Sequence, residues 1–244
     1  DILLAASERH LGDYWPGNKG DIGNIRINND TGNYDRYAES IKNNKIPDTN
    51  YRMHSRLAKG GWNLPANQRL QLSYLQTQTA SPIAGTLTNL GTRPPYELGW
   101  KRTGYSDVMA RNAAFDYSLA PEGVDWLDFQ AKLYYVDTQD DSDTYSTSSL
   151  LDNGYATRTR LRTYGAQAQN TSRFSLAPGH DFRANYGLEF YYDKATSDSS
   201  REGMEGVTPA GNRSVGSLFA NLTYDYDGWL TLEGGLRYDR YRQR

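Results

Sequence analysis

The stretch His180-Asp181-Phe182-Arg183-Ala184-Asn185-Tyr186-Gly187-Leu188-Glu189-Phe190-Tyr191-Tyr192-Asp193 decides the fold. Phe182, Ala184, Tyr186, Leu188, Phe190 and Tyr192 occupy alternate positions, and Arg183, Asn185, Gly187, Glu189, Tyr191 and Asp193 fill the gaps. A period of two puts one set on each face of an extended strand, so one face is apolar and the other polar. The same pattern recurs along the chain. In 126–136, Leu127, Phe129, Ala131, Leu133 and Tyr135 alternate with Asp128, Gln130, Lys132 and Tyr134. In 229–239, Leu230, Leu232, Leu236 and Tyr238 alternate with Thr231, Glu233, Arg237 and Asp239. In 111–119, Ala113, Phe115, Tyr117 and Leu119 face away from Asn112, Asp116 and Ser118. Weaker versions fill 51–61, 68–78, 157–171 and 214–226, and a first strand of ambiguous face covers 2–11. The reading is an all-β chain of about nine antiparallel strands.

The connections carry as much information as the strands. Long ones, at about 12–50, 80–104, 137–156 and 194–213, alternate with short ones at about 63–67, 120–125, 174–180 and 226–228. Transmembrane β-barrels of the outer membrane are built this way, with short turns on the periplasmic side and long loops outside. All nine prolines are expected in loops or turns, because an interior strand needs every backbone donor. Trp62, Trp126 and Trp229 sit beside three of the short turns, where an indole suits a membrane interface, and Phe174 serves the fourth. These residues are expected to form the periplasmic aromatic girdle. A propeller needs four strands per repeat and a repeated signature, and neither is seen.

Composition excludes other classes. The 244 residues carry a net charge of -2 and no cysteine. That leaves no disulfide framework and no thiolate chemistry. Twenty tyrosines and five tryptophans are out of keeping with a disordered chain. No run reaches the ~20 apolar residues of a spanning helix. No basic stripe interleaved with aromatics points to nucleic acid. No nucleophile elbow, zinc-protease motif, phosphate loop or dinucleotide fingerprint occurs, so nothing supports an enzyme.

Particular residues then suggest a family. Trp229-Leu230-Thr231-Leu232-Glu233-Gly234-Gly235-Leu236-Arg237-Tyr238-Asp239-Arg240-Tyr241 resembles the mid-barrel Gly-Leu-Arg-Tyr-Asp strand of TonB-dependent receptors. Ser55-Arg56-Leu57-Ala58-Lys59, Trp62-Asn63-Leu64-Pro65 and Gln71-Leu72-Ser73-Tyr74 are similar to an early hairpin of their haem-uptake branch, as are Leu4-Ala5-Ala6-Ser7 and Gly12-Asp13-Tyr14. Receptors for haem and its secreted carrier, the haemophore, show the closest likeness. The resemblance implies a larger, twenty-two-stranded barrel around a plug domain, with uptake energised by TonB. On that reading 1–244 is part of the barrel domain, and the plug and the C-terminal strands lie outside it. In the haem branch, the resemblance implies haem ligation by one plug histidine and one histidine in an extracellular loop between two sequence boxes. Neither box occurs here; Phe182-Arg183-Ala184-Asn185 lacks the proline of one and lies too early. Haem is thus the implied transported ligand, with no cofactor assigned to these residues. The implied partners are outer-membrane lipid, the TonB complex through the plug, and a haemophore or other haem protein. A siderophore receptor, a passive porin and a soluble glycan-binding protein are the competing readings.

His54, with Arg52 and Arg56 on its face, is expected in the lumen near the outer mouth, where an imidazole could ligate iron and the arginines hold propionates. Trp15 and Trp100, with Tyr14, Tyr34, Tyr37, Tyr96 and Tyr145, lie in long loops and are candidate contacts for a ligand or partner. His10 is placed near the top of the first strand, and His180 is read as structural. Arg158, Arg160 and Arg162 share a face; three cations in a row could guide an anionic ligand, but the favoured reading is that they pair with lumen acids on the next strand, Asp128 being a candidate. Asp137, Asp140, Asp141 and Asp143 read as a solvated loop, lacking the glycine and closing glutamate of a calcium hand.

Overall fold

The computed structural model describes residues 1–15, 45, 48–83, 86–89, 98–101, 103–145, 154–202 and 210–244. Eleven strands follow in order: β1 (Ile2–Leu11), β2 (Tyr51–Leu64), β3 (Gln68–Ile83), β4 (Thr86–Asn89), β5 (Leu98–Lys101), β6 (Gly104–Leu119), β7 (Phe129–Thr144), β8 (Tyr155–Ala177), β9 (His180–Ser199), β10 (Gly211–Tyr226) and β11 (Leu230–Gln243). Nine of them form one sheet in the order β1-β2-β3-β6-β7-β8-β9-β10-β11. Every neighbouring pair in it is antiparallel. β4 and β5 pair only with each other, in the connection between β3 and β6, and are described by backbone alone. That small hairpin is absent from the sequence reading, because four-residue strands are too short to show a period.

Turn chemistry fixes the register. Between β10 and β11, Asp227 and Gly228 both take positive φ, 49° and 70°. Two such residues in succession make the hairpin turn whose twist matches its strands, and Asp-Gly is its favoured pair. Asp225 receives the Gly228 amide at 2.9 Å and the Thr231 hydroxyl at 2.7 Å, closing the turn from the side. Between β8 and β9, Pro178 precedes Gly179 at φ 76°, the order of a turn that needs Gly at its third position.

Residues directly opposite in an antiparallel pair point to the same face. The registers therefore sort the whole sheet into two faces. One carries the row Leu72, Phe115, Leu133, Ala166, Phe190 and Gly216, each the partner of the last. The next row on that face runs Leu70, Tyr117, Ala131, Ala168, Leu188, Leu218 and Tyr238. The opposite face carries Gln71, Asp116, Lys132, Gln167, Glu189, Ser217 and Asp239 in one row. No large side chain is fully buried among the described residues, and Leu188 stands 48 % exposed. The apolar surface is thus turned outward. Nothing in water favours such an arrangement, whereas lipid does.

The strands run further than the alternation suggested. β7 continues to Thr144, β9 to Ser199, and β6 begins at Gly104. The expected acidic loop is corrected: Asp137, Asp140, Asp141 and Asp143 all lie in β7. Their contrast in sequence vanishes because both faces are polar at that height, while β6 and β8 still satisfy the backbone. The proline expectation needs one correction too. Pro65 and Pro178 fall in turns and Pro121 between strands, but Pro82 lies in β3, next to its last residue. A missing donor costs little at the end of a strand. Pro16, Pro47, Pro94, Pro95 and Pro209 lie outside the described residues.

Candidate functional site: two faces and two aromatic levels

The apolar face is bounded above and below. At the long-loop end, Tyr74, Ala113, Tyr135, Tyr164 and Tyr192 are successive register partners. Tyr135 and Tyr164 touch, with ring centroids 5.0 Å apart. A row of phenols in which four of five neighbours are tyrosine suits an apolar body with a wet tip. The row above it runs Arg56, Gln76, Arg111, Asp137, Arg162 and Lys194. The change from apolar to charged thus takes a single row.

At the short-turn end a second aromatic level runs across β8 to β11. Phe174 stacks on Phe182 at 5.4 Å, Phe182 meets Tyr224 at 4.9 Å, and Tyr226 meets Trp229 edge-on at 5.8 Å. His180 is seated among them, 4.7 Å from the Tyr226 ring, with Nδ1 2.7 Å from the Tyr224 hydroxyl. Trp62 lies on the apolar face opposite Leu70, and Trp126 and Trp229 sit in turns at this end. All three indoles are more than half exposed.

The expected lumen placement of His54, Arg52 and Arg56 is corrected by the register. They pair with Gln78, Ala80 and Gln76 and share their face with Ala58, Gly60, Trp62, Leu70, Leu72 and Tyr74. That is the apolar, outward face, at a height above the tyrosine row. The parity of Trp62, carried up the strand, gives this face; Leu57, an apolar residue of the other parity, pointed the wrong way. His10 and Glu8 lie opposite Arg52 and His54. His10, Arg52 and His54, with Gln78 and Tyr105, line an outer cleft.

The arginine ladder is corrected in the same manner. Its acids are Asp137 and Asp141, not Asp128. Arg160 holds Asp137 in a fork, Nε to Oδ1 at 2.6 Å and Nη2 to Oδ2 at 2.8 Å. Arg111 reaches Oδ2 at 3.1 Å, and Arg162 lies 3.8 Å from Oδ1. Arg158 pairs with Asp141 at 2.5 Å. Asp128 instead receives Arg173 at 2.8 Å. Asp137 is 2 % exposed, so three cations surround one covered carboxylate. Sequence alone hid this cluster, because it joins three strands whose register the turns had not yet set.

The polar face is a ladder of matched charges. Lys132 pairs with Asp116 at 3.2 Å, Arg213 with Asp193 at 2.5 Å, and Arg237 with both Glu189 and Asp239 at 3.1 and 2.8 Å. Arg69, Gln71, Asp116, Lys132, Gln167 and Gln169 line a cleft on it. At the long-loop end, Asp13 receives the amides of Thr49 and Asn50 at 3.0 Å each and the Asn50 side chain at 2.9 Å. The Asn50 side chain, with the two amides, holds that carboxyl below its ordinary value. Trp15, Tyr14 and Tyr145 are exposed at the same end. Trp100 lies on β5, opposite Leu87, with its backbone alone described. Tyr34, Tyr37 and Tyr96 lie outside the described residues.

An outward apolar band, a charged inner face, short turns below and long connections above define a section of an antiparallel transmembrane β-barrel wall. Residues 12–244 match the family model of the TonB dependent receptor-like β-barrel, and the chain belongs to that family. It is 78 % identical over its whole length to the haemophore receptor HasR of Serratia marcescens, a double mutant of which was solved with its haemophore HasA and haem, and superposes with a TM-score of 0.77. A Hemophilin receptor of Acinetobacter baumannii is 26 % identical over 99 % of the chain. The copper transporter OprC, at 19 % identity and a TM-score of 0.61 over 81 % of the chain, shares the fold. The chain spans 30 % of HasR and 24 % of the Hemophilin receptor.

Proposed function

We propose that these strands are wall of an outer-membrane receptor that imports haem, or haem delivered by a carrier protein, with energy relayed by TonB. The observation that carries this reading is the 78 % identity, across the full chain, to a haemophore receptor captured with haemophore and haem. The apolar band between two aromatic levels supports the membrane placement, with Trp62, Trp126 and Trp229 at the periplasmic interface. A plug domain and further barrel strands, outside residues 1–244, complete the receptor. The long connections offer Trp15 and Trp100 to a carrier protein. The matched charges of the inner face keep the lumen wet without fixing a ligand.

Growth decides the matter. The full receptor gene is placed in a Gram-negative strain that lacks its own haem receptors and cannot make haem. Growth on haem or on a haem-loaded haemophore is expected only with an intact TonB system. Growth without TonB would make the barrel a passive pore. No growth on haem, with ferric siderophore uptake instead, would move the protein to the siderophore receptors.

A further inference from the structure

The outward face does not end at the tyrosine row. Just above it stand Arg56, Arg111, Arg162 and Lys194, with Asp137 as the single acid of that row. Arg160 adds a further cation one row higher, between Arg162 and Arg158 on β8. Asp137 is covered by the three guanidiniums it organises, and these remain about a third exposed, at 37 %, 30 % and 34 % for Arg111, Arg160 and Arg162. One negative charge thus holds three positive ones in place and leaves two unneutralised. They face away from the barrel, at the height where acyl chains give way to headgroups.

We propose that the Arg111–Arg160–Arg162 cluster, with Lys194 beside it, binds the phosphate groups of a phosphorylated glycolipid of the outer leaflet. The inference rests on the membrane placement argued above. Guanidinium forks match phosphate oxygens in geometry and charge, and arginine is the side chain suited to that bidentate contact. The rows below, Tyr135 and Tyr164 over Leu133 and Ala166, offer the acyl chains of the same lipid an apolar surface. One molecule therefore meets both parts at once, which a soluble anion cannot do. Asp137 acts as a positioning residue: without it the three cations would repel one another and splay.

Full-length receptor, purified in mild detergent, is titrated with bisphosphorylated lipid A and with its fully dephosphorylated form, and bound lipid is counted by native mass spectrometry. The test variant is Arg162→Gln/Lys194→Gln, which leaves the hydrogen bonds of Arg160 and Arg111 to Asp137 intact. Unchanged mobility of the unheated variant on gels confirms that it folds. Affinity for the bisphosphorylated lipid is expected to fall about tenfold or more, as loss of charge-assisted contacts implies, with little change for the dephosphorylated form. Equal binding of both lipids, or a variant that binds like the parent, would overturn the proposal. So would full displacement by millimolar inorganic phosphate, which would make this a general anion site. Binding of haemophore and haem is measured on the same samples. Lipid binding without haem binding would sink only the transport reading; haem binding without phosphate-dependent lipid binding would sink only this one.

Discussion

Leu188→Arg is expected to cost the folded receptor about 2–4 kcal/mol in a bilayer, the range for a cation on the lipid side of a barrel near its midplane. Leu188 lies between Phe182 and Tyr192 on the apolar face of β9, with Ala168 and Leu218 as its register partners. The arginine would have to snorkel past the Phe190 row to the tyrosines on one side, or past the Tyr186 and Ala184 rows to the aromatic level on the other. Gln167→Arg, one strand away but on the other face, is expected to be nearly neutral, because its register partners are Lys132 and Glu189. The pair is compared by denaturant unfolding of full-length receptor refolded into vesicles. Similar losses at both positions would mean that the faces are not lipid and lumen.

The second large effect is expected at Asp137. Asp137→Ala leaves Arg111, Arg160 and Arg162 side by side with no counter-ion. Breaking a covered ion pair from one side costs about 3–5 kcal/mol, and the partial exposure of the arginines brings the expectation to about 2–3 kcal/mol. The loss is local. Amide exchange is expected to quicken along the upper parts of β6, β7 and β8, while the aromatic level at the short turns stays protected. Replacing Arg160 by Met in the same background should recover part of the loss, since it removes one of the stranded charges. Unchanged protection in Asp137→Ala would show that the cluster is incidental to the sheet.

These two positions also mark how far the sequence could be read. Leu188 announced its face, because lipid on one side and water on the other enforce a strict period of two over the apolar band. Asp137 did not. Above the tyrosine row both sides are polar, headgroups outside and water in the lumen, so the contrast disappears and strand reads as loop. The same loss of contrast shortened β6 and β9 at the long-loop end. The face of His54 was a different failure. Its strand is weakly patterned, with Leu57 apolar on the polar side and Gly60 silent, so local parity was ambiguous. Trp62 and the register with Leu70 and Leu72 resolve it. Partnerships across strands, such as Arg160 with Asp137, stay hidden until turn geometry fixes every register. The family resemblance came from local runs, above all Gly235-Leu236-Arg237-Tyr238-Asp239. In the sheet that run places Arg237 on the polar face between Glu189 and Asp239, and Leu236 and Tyr238 on the apolar one.

The most direct test uses the fact that the chain has no cysteine. Single cysteines are introduced one at a time from position 182 to 192 of β9 in the full-length receptor, with any cysteine outside residues 1–244 first replaced by serine, in native outer membranes. Each is challenged with a small, water-soluble maleimide and, separately, with a lipid-dissolved quencher after labelling. The expected result is strict alternation, with even positions shielded from the aqueous reagent and quenched by lipid, and odd positions the reverse. Equal reaction from water at both parities would describe a sheet wet on both sides, and no wall of a membrane barrel.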